Sequence, residues 1–505
     1  MTGNGQRGID SDFLALPLQS LADAALQTAR DGGATYAAFR MERILGTSLR
    51  LRDADVEGIN DTEDVGYSVR VILDGTWGFA ADIERTPEAA ARTAKRALDL
   101  ARVSAPVNTE PVDLTAEPAH QGTWCSSYEI DPWSVSHEDK LALLQAWSRQ
   151  LLSAPGIDHV DTSLLAVKEN KFYADLSGTV TTQQRVRLHP EFDAVAIDAD
   201  SGAFETMGTV APPVGQGWEF LTGTSYDWAG ELAQLPGWLV EKLKAPSVEP
   251  GKYDLVIDPS NLWLTIHESI GHATELDRAL GYEANYAGMS FATPDKLGTL
   301  QYGSPIMHIT GDRTVEHGLS TVAWDDEGVE GQFFDIVKDG VLVGYQLDRR
   351  IASRVGYERS NGCAFADSPG HVPIQRMANV SLQPVTDGPS TEQMIEAVDD
   401  GLFVVGDKSW SIDMQRYNFQ FTGQRFFRIR DGKLVGQVKD VAYQATTTDF
   451  WGSMAVVGGP ETYVLGGAFN CGKAQPGQVA PVSHGAPAAT FTSVNILNTA
   501  AEGAR

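Results

Sequence analysis

Three cysteines in 505 residues, Cys125, Cys363 and Cys471, are too few for a disulfide framework, and a reducing compartment fits. Basic charge is also scarce: 39 Lys and Arg face 67 Asp and Glu, a formal net charge of −28. No basic stretch offers a phosphate-binding patch, which argues against nucleic acid and anionic membranes as partners. Long apolar runs are missing too. The best stretch, Met454–Phe469, is interrupted by glycines, Pro460 and Glu461, so no membrane span is expected. The polar Met1–Ile9 has no apolar signal core behind it. The expectation is a soluble, cytoplasmic protein.

What remains is ample for a large core, since 42% of residues are hydrophobic. The pattern divides the chain into three units. In 16–104, Leu18, Leu21, Ala25 and Leu26 have helical spacing, and strands are expected near Ala37–Arg43 and Ser48–Ala54. Gly66–Phe79 alternates around an Asp74-Gly75 turn, and Thr86-Pro87 caps an Ala-rich helix. In 122–244, Ser136 caps a helix, a meander follows over Ser163–Thr209, and a further helix runs near Trp228–Lys244. Ala245–Gly251 is the clearest boundary, and 252–498 reads as a strand-rich domain. There Asp339-Gly340 and Asp431-Gly432 have matching flanks, read as two hairpins of one antiparallel sheet. The fold class is α+β: helices on antiparallel strands, then a large strand-rich C-terminal domain.

Chemistry concentrates in that last unit. Tyr253–Ile257 reads as a buried strand, and Asp258-Pro259 starts a helix that carries His267, Glu268 and His272 as HExxxH. Two imidazoles and a carboxylate left free suit a catalytic zinc, with Cys471 in Asn-Cys-Gly-Lys as a third ligand and one position open for water. The spacing is unusual. Zincin histidines stand four apart on one helix face. Five steps of about 100° leave two side chains about 140° apart on a regular α-helix. The helix must therefore break, kink or bulge, at Gly271 or through a π-type turn. Alone, Cys471 reads first as a small buried hydrophobe, the commonest fate of a cysteine.

His267–Asp277 (HESIGHATELD), Asp325–Gly328 (DDEG), Gly66–Ala80 (GYSVRVILDGTWGFA) and above all Asn470–Gly485 (NCGKAQPGQVAPVSHG) resemble the TldD branch of the TldD/PmbA metalloprotease family. The resemblance runs from about Gln19 to Asn498 and departs slightly at Ala474 and Ala486. It implies a zinc peptidase with His267, His272 and Cys471 as ligands and Glu268 as general base. It implies unfolded or short peptides, or peptide-like compounds, as substrates. A TldE/PmbA-like partner subunit is also implied, or a homodimer. Two rivals stay open: a metal-holding subunit without useful turnover, and a thiol enzyme using Cys471. His484 is a candidate to line the site. Asp325, Asp326 and Glu327 are candidates to orient a metal-bound histidine or to form a solvated turn.

Overall fold

The computed structural model describes residues 8–475 and 477–503. Residues 1–7, most of the polar N-terminal segment, and Pro476 of the NCGK…PVSHG segment lie outside them.

The first half of the chain builds one sheet. Its strand order is Thr76–Asp82, Asp55–Leu73, Tyr36–Arg52, His159–Asp175, Val180–Ile197 and Gln121–Cys125, with Phe204–Gly208 also on Val180–Ile197. The segments 16–104 and 122–244, expected as separate units, thus share it: Tyr36–Arg52 pairs with Asp55–Leu73 on one edge and His159–Asp175 on the other. Two strands were expected where Tyr36–Arg52 runs unbroken. Pairing on both edges carries the strand straight through Gly46. The chain reverses at Asp53-Ala54 instead, both with positive φ. Helices Leu18–Asp31 and Pro87–Ser104 bury their alanine faces on one end of the sheet. His137–Leu152 and Trp228–Lys244 cover the other.

The C-terminal domain has its own core, gathered around Leu255, Ile257, Leu262, Phe421, Tyr443 and Phe491. A second seven-stranded sheet is ordered Asp400–Ile412, Gly251–Ile257, Ala489–Asn498, Val441–Thr446, Asn418–Arg430 and Lys433–Val438, with Met454–Val457 on Ala489–Asn498. The two Asp-Gly turns do form, with positive φ at Asp339-Gly340 and Asp431-Gly432, as two-residue hairpins require. They belong to different sheets, however. Phe333–Lys338 and Val341–Leu342 join a four-stranded sheet with Ile309–Asp312 and Asn379–Leu382. Matching turn chemistry fixed the hairpins and not their neighbours. Val464–Lys473 and Gln478–Ala486 form a separate two-stranded ribbon packed near Asn379–Leu382. No described helix is long and apolar enough to cross a membrane.

Candidate metal centre

Strand Gly251–Ile257 is hydrogen-bonded on both edges, and it delivers the chain into helix Pro259–Ile266. Asp258 caps that helix, its carboxylate accepting the Ser260 N–H at 2.9 Å. The α-helix stops at Ile266. His267–Gly271 then forms a π turn, and His272–Thr274 a 3₁₀ turn. The His272 N–H donates to the His267 carbonyl, so one i→i+5 bond spans the two histidines. That widened turn brings together side chains a regular helix would separate, and the rings lie 4.7 Å apart. Gly271 acts differently from the expectation. Its φ and ψ of −51° and −61° are ordinary helix, so it supplies no special freedom. A Cβ there would lie 2.8 Å from Met377 Sδ and 3.4 Å from His484 Cε1. Its part is to let those side chains approach.

Cys471 reaches the centre from the ribbon strand Val464–Lys473, at a register shift between Ala468 and Cys471. Its Sγ stands 3.6 Å from His272 Nε2. One donor atom each from His267, His272 and Cys471 falls within a 4.8 Å sphere of mutual distances. All three residues and Glu268 are 5% exposed or less.

The Nδ1 atoms of both histidines are already engaged. His484 donates from Nδ1 to the Val380 carbonyl at 2.9 Å, so its Nε2 is an acceptor. His267 Nδ1–H donates to that atom at 2.7 Å. His272 Nδ1–H donates to Glu275 Oε2 at 2.9 Å. Both Nε2 lone pairs are thereby left for the centre, the arrangement that metal-ligating histidines need. Glu275 is itself held, with Lys473 Nζ donating to its Oε1 at 3.0 Å and to Asp277 Oδ1 at 2.8 Å. Burial raises the Glu275 carboxyl, but Lys473, His272 and Arg278 outweigh it and hold it well below its ordinary value.

The donors suit a cation. Burial holds His267 and His272 below the usual imidazole value, so both are neutral near neutral pH, the form in which an imidazole can bind a metal. Burial pushes the Cys471 thiol up, yet His272 and the Arg376 guanidinium more than offset this and lower it. For a tetrahedral ion, an imidazole nitrogen at about 2.05 Å and a thiolate at about 2.3 Å stand about 3.6 Å apart. The Sγ–Nε2 separation is 3.6 Å.

Among the described residues, the Glu268 carboxylate forms no hydrogen bond with His267, His272 or Cys471. Its Oε2 accepts from Arg416 Nη1 at 2.7 Å. The DDEG turn lies elsewhere. Glu327 pairs with Arg70 at 2.7 Å, Asp326 with Lys171 at 2.7 Å, and Asp325 accepts the Glu327, Val329 and Ala364 N–H groups. It is buried, not solvated. Instead of orienting a histidine, it fastens the N-terminal sheet to the C-terminal domain. His308, His317 and His371 pair with Asp339, the Gly215 carbonyl and Asp367. Trp451 is core and donates to Ser269 Oγ; Trp410 is exposed.

Two family models match this architecture: the PmbA/TldA metallopeptidase C-terminal domain over residues 250–498, and domain 1 over residues 37–101. The chain belongs to the PmbA/TldD family. Among its PmbA/TldD relatives, a Methanothermobacter thermautotrophicus protein named metalloprotease is 27% identical over 482 residues, 95% of this chain and 97% of that protein. A Saccharolobus solfataricus protein named zinc metalloprotease TldD homolog is 23% identical over 478 residues, 92% and 96% of the two chains. The crystal structure of TldE from Thermococcus kodakarensis superposes with a TM-score of 0.72 at 14% identity, covering 94% of this chain and 99% of that one. At that identity the likeness establishes the fold.

Several groups of the candidate centre were not singled out from sequence. Glu275 and Lys473 lie inside the quoted motifs, three and two residues beyond a proposed ligand, and that proximity is the available signal. Arg416 has none, because it comes from a hairpin tip 148 residues away from Glu268.

Proposed function

We propose that this chain is a zinc-dependent metallopeptidase that hydrolyses amide bonds in unfolded or short peptides or peptide-like compounds. The observation that carries the reading is the convergence of His267, His272 and Cys471, each histidine with its Nδ1 committed outward, beside a carboxylate that is not a ligand. His267 Nε2, His272 Nε2 and Cys471 Sγ would hold the ion. When bound, zinc supplies a Lewis acid that polarises the scissile carbonyl and acidifies water. Glu268 is the general base. It takes the proton of the attacking water at Oε1 and passes it to the leaving amine. Glu275 and His484 keep the ligand imidazoles correctly turned, each with its proton on Nδ1, while burial keeps them neutral. Burial of all four central residues favours flexible substrates, because a folded protein cannot bring a bond to so enclosed a point.

Zinc content and peptide hydrolysis measured together test this. His267→Ala and Cys471→Ala should lose the ion. Glu268→Ala should keep it and lose about 10²–10⁴-fold in turnover; full activity in that variant would sink the base assignment. The Cys471–His272 contact also fits a thiol–imidazole pair. Activity that survives exhaustive chelation and dies on alkylation would favour that rival. Zinc binding without any hydrolysis would favour a metal-holding subunit. We further propose that the chain works beside a TldE/PmbA-like subunit or as a homodimer, to be tested by co-purification.

A further inference from the structure

Arg416 sits at the tip of the hairpin between strands Asp400–Ile412 and Asn418–Arg430. Its φ of +62° is a conformation that costs an arginine and would cost a glycine nothing. The tip does not depend on the arginine side chain for its shape. Asp413 does that work, accepting the Gln415, Tyr417 and Asn418 N–H groups at 2.9–3.1 Å. The Arg416 backbone is fixed independently, its carbonyl accepting from Thr447 Oγ1 at 2.8 Å. A strained residue whose side chain the local fold does not need is retained for what that side chain reaches.

It reaches Glu268. Nη1 holds Oε2 at 2.7 Å, while Oε1 has no hydrogen-bond partner among the described residues. Arg416 Nη2 makes only a long 3.4 Å contact to the Ala287 carbonyl, and Nε is buried without a partner. The guanidinium is thus poorly satisfied except through the carboxylate.

We propose that Arg416 is a positioning residue for the general base. It anchors Oε2 and fixes the carboxylate plane, so that Oε1 alone is presented to the water. This rests on the assignment of Glu268 above. A lysine keeps the charge but lacks the planar guanidinium that reaches Oε2 through Nη1 and the Ala287 carbonyl through Nη2.

The test compares zinc-loaded wild type with Arg416→Gly, Arg416→Lys and Glu268→Gln, using a fluorogenic short peptide. Arg416→Gly relieves the positive φ, so it should keep its fold and its zinc. Its kcat should fall roughly 10- to 100-fold, the cost of a misplacement of about 1 Å, with KM little changed. Added guanidine should restore part of the loss, and Arg416→Lys should lie between Arg416→Gly and wild type. Unchanged kcat in Arg416→Gly, beside an inactive Glu268→Gln, overturns the inference alone. An active Glu268→Gln overturns the base assignment itself. A second reading needs no turnover: in zinc-free protein the Tm shifts of Arg416→Gly and Glu268→Gln should be non-additive. Additive shifts overturn the pairing.

Discussion

Replacing Glu275 with glutamine tests whether the centre is organised from outside its ligands. The change keeps shape and removes one charge. The Glu275 carboxylate is fully buried and serves His272 Nδ1–H through one oxygen and Lys473 through the other. A glutamine has one oxygen, so its NH₂ must face either the imidazole N–H or the ammonium, donor against donor. Breaking a buried charge pair on one side costs about 3–5 kcal/mol. Lys473 retains Asp277 at 2.8 Å and the Gln375 carbonyl at 2.8 Å, which points to the lower end. About 3 kcal/mol in a domain of this size is a Tm loss of about 6–12 °C, measured on zinc-free protein by scanning fluorimetry. The misdirected His272 should separately weaken zinc binding by about 10–100-fold, read by competition with a chelator below the unfolding range. A chelator midpoint equal to that of wild type would refute the idea that Glu275 sets the histidine's tautomer. An unchanged Tm would refute the buried-pair accounting.

Four further outcomes are expected. His484→Phe should keep a ring beside Trp263 but leave the His267 Nδ1–H without its acceptor, again costing about 10–100-fold in zinc affinity by the same competition. Gly271→Ala should meet Met377 and His484; overpacking of about 1–3 kcal/mol, less about 0.5–1 kcal/mol from replacing a helical glycine, should lower the urea midpoint, and a raised midpoint would contradict the steric argument. Saturating zinc at about 100 times its Kd should stabilise the fold by about 2.7 kcal/mol, visible as a Tm that rises with free ion and reverses on chelation. Burial, helped by Lys408, pushes Lys242 down from 10.5 to about 8. Between those values the unfolded chain holds this proton more readily, so stability rises with pH across that window, and Lys242→Met should flatten the rise in urea titrations.

Local chemistry was legible in the sequence wherever a short stretch decides the outcome. The Asp-Gly turns, the Thr86 and Ser136 caps and the strand-to-helix entry at Asp258 all form where residue type demands. The widened turn at His267–Gly271 was likewise forced by arithmetic, since no regular helix brings residues five apart together. What was not legible depends on long-range pairing. Nothing local tells that Tyr36–Arg52 ignores Gly46, or that two near-identical hairpins enter different sheets. Within the site, Cys471 gained its place from resemblance and Arg416 from tertiary structure alone, because a hairpin tip announces its turn and not its target.

The widened turn also changes how the histidine spacing is to be read. It is, in effect, one residue inserted into a helix and absorbed within a single turn. Deleting Ser269 would leave histidines four apart, the spacing at which a regular α-helix already carries both on one face. The extra residue therefore leaves His272 facing His267, and Glu275, three residues beyond it, still meets Lys473 from the separate ribbon. Histidines five apart and four apart can thus present the same geometry, and a sequence search that forbids a gap there would separate sites built alike.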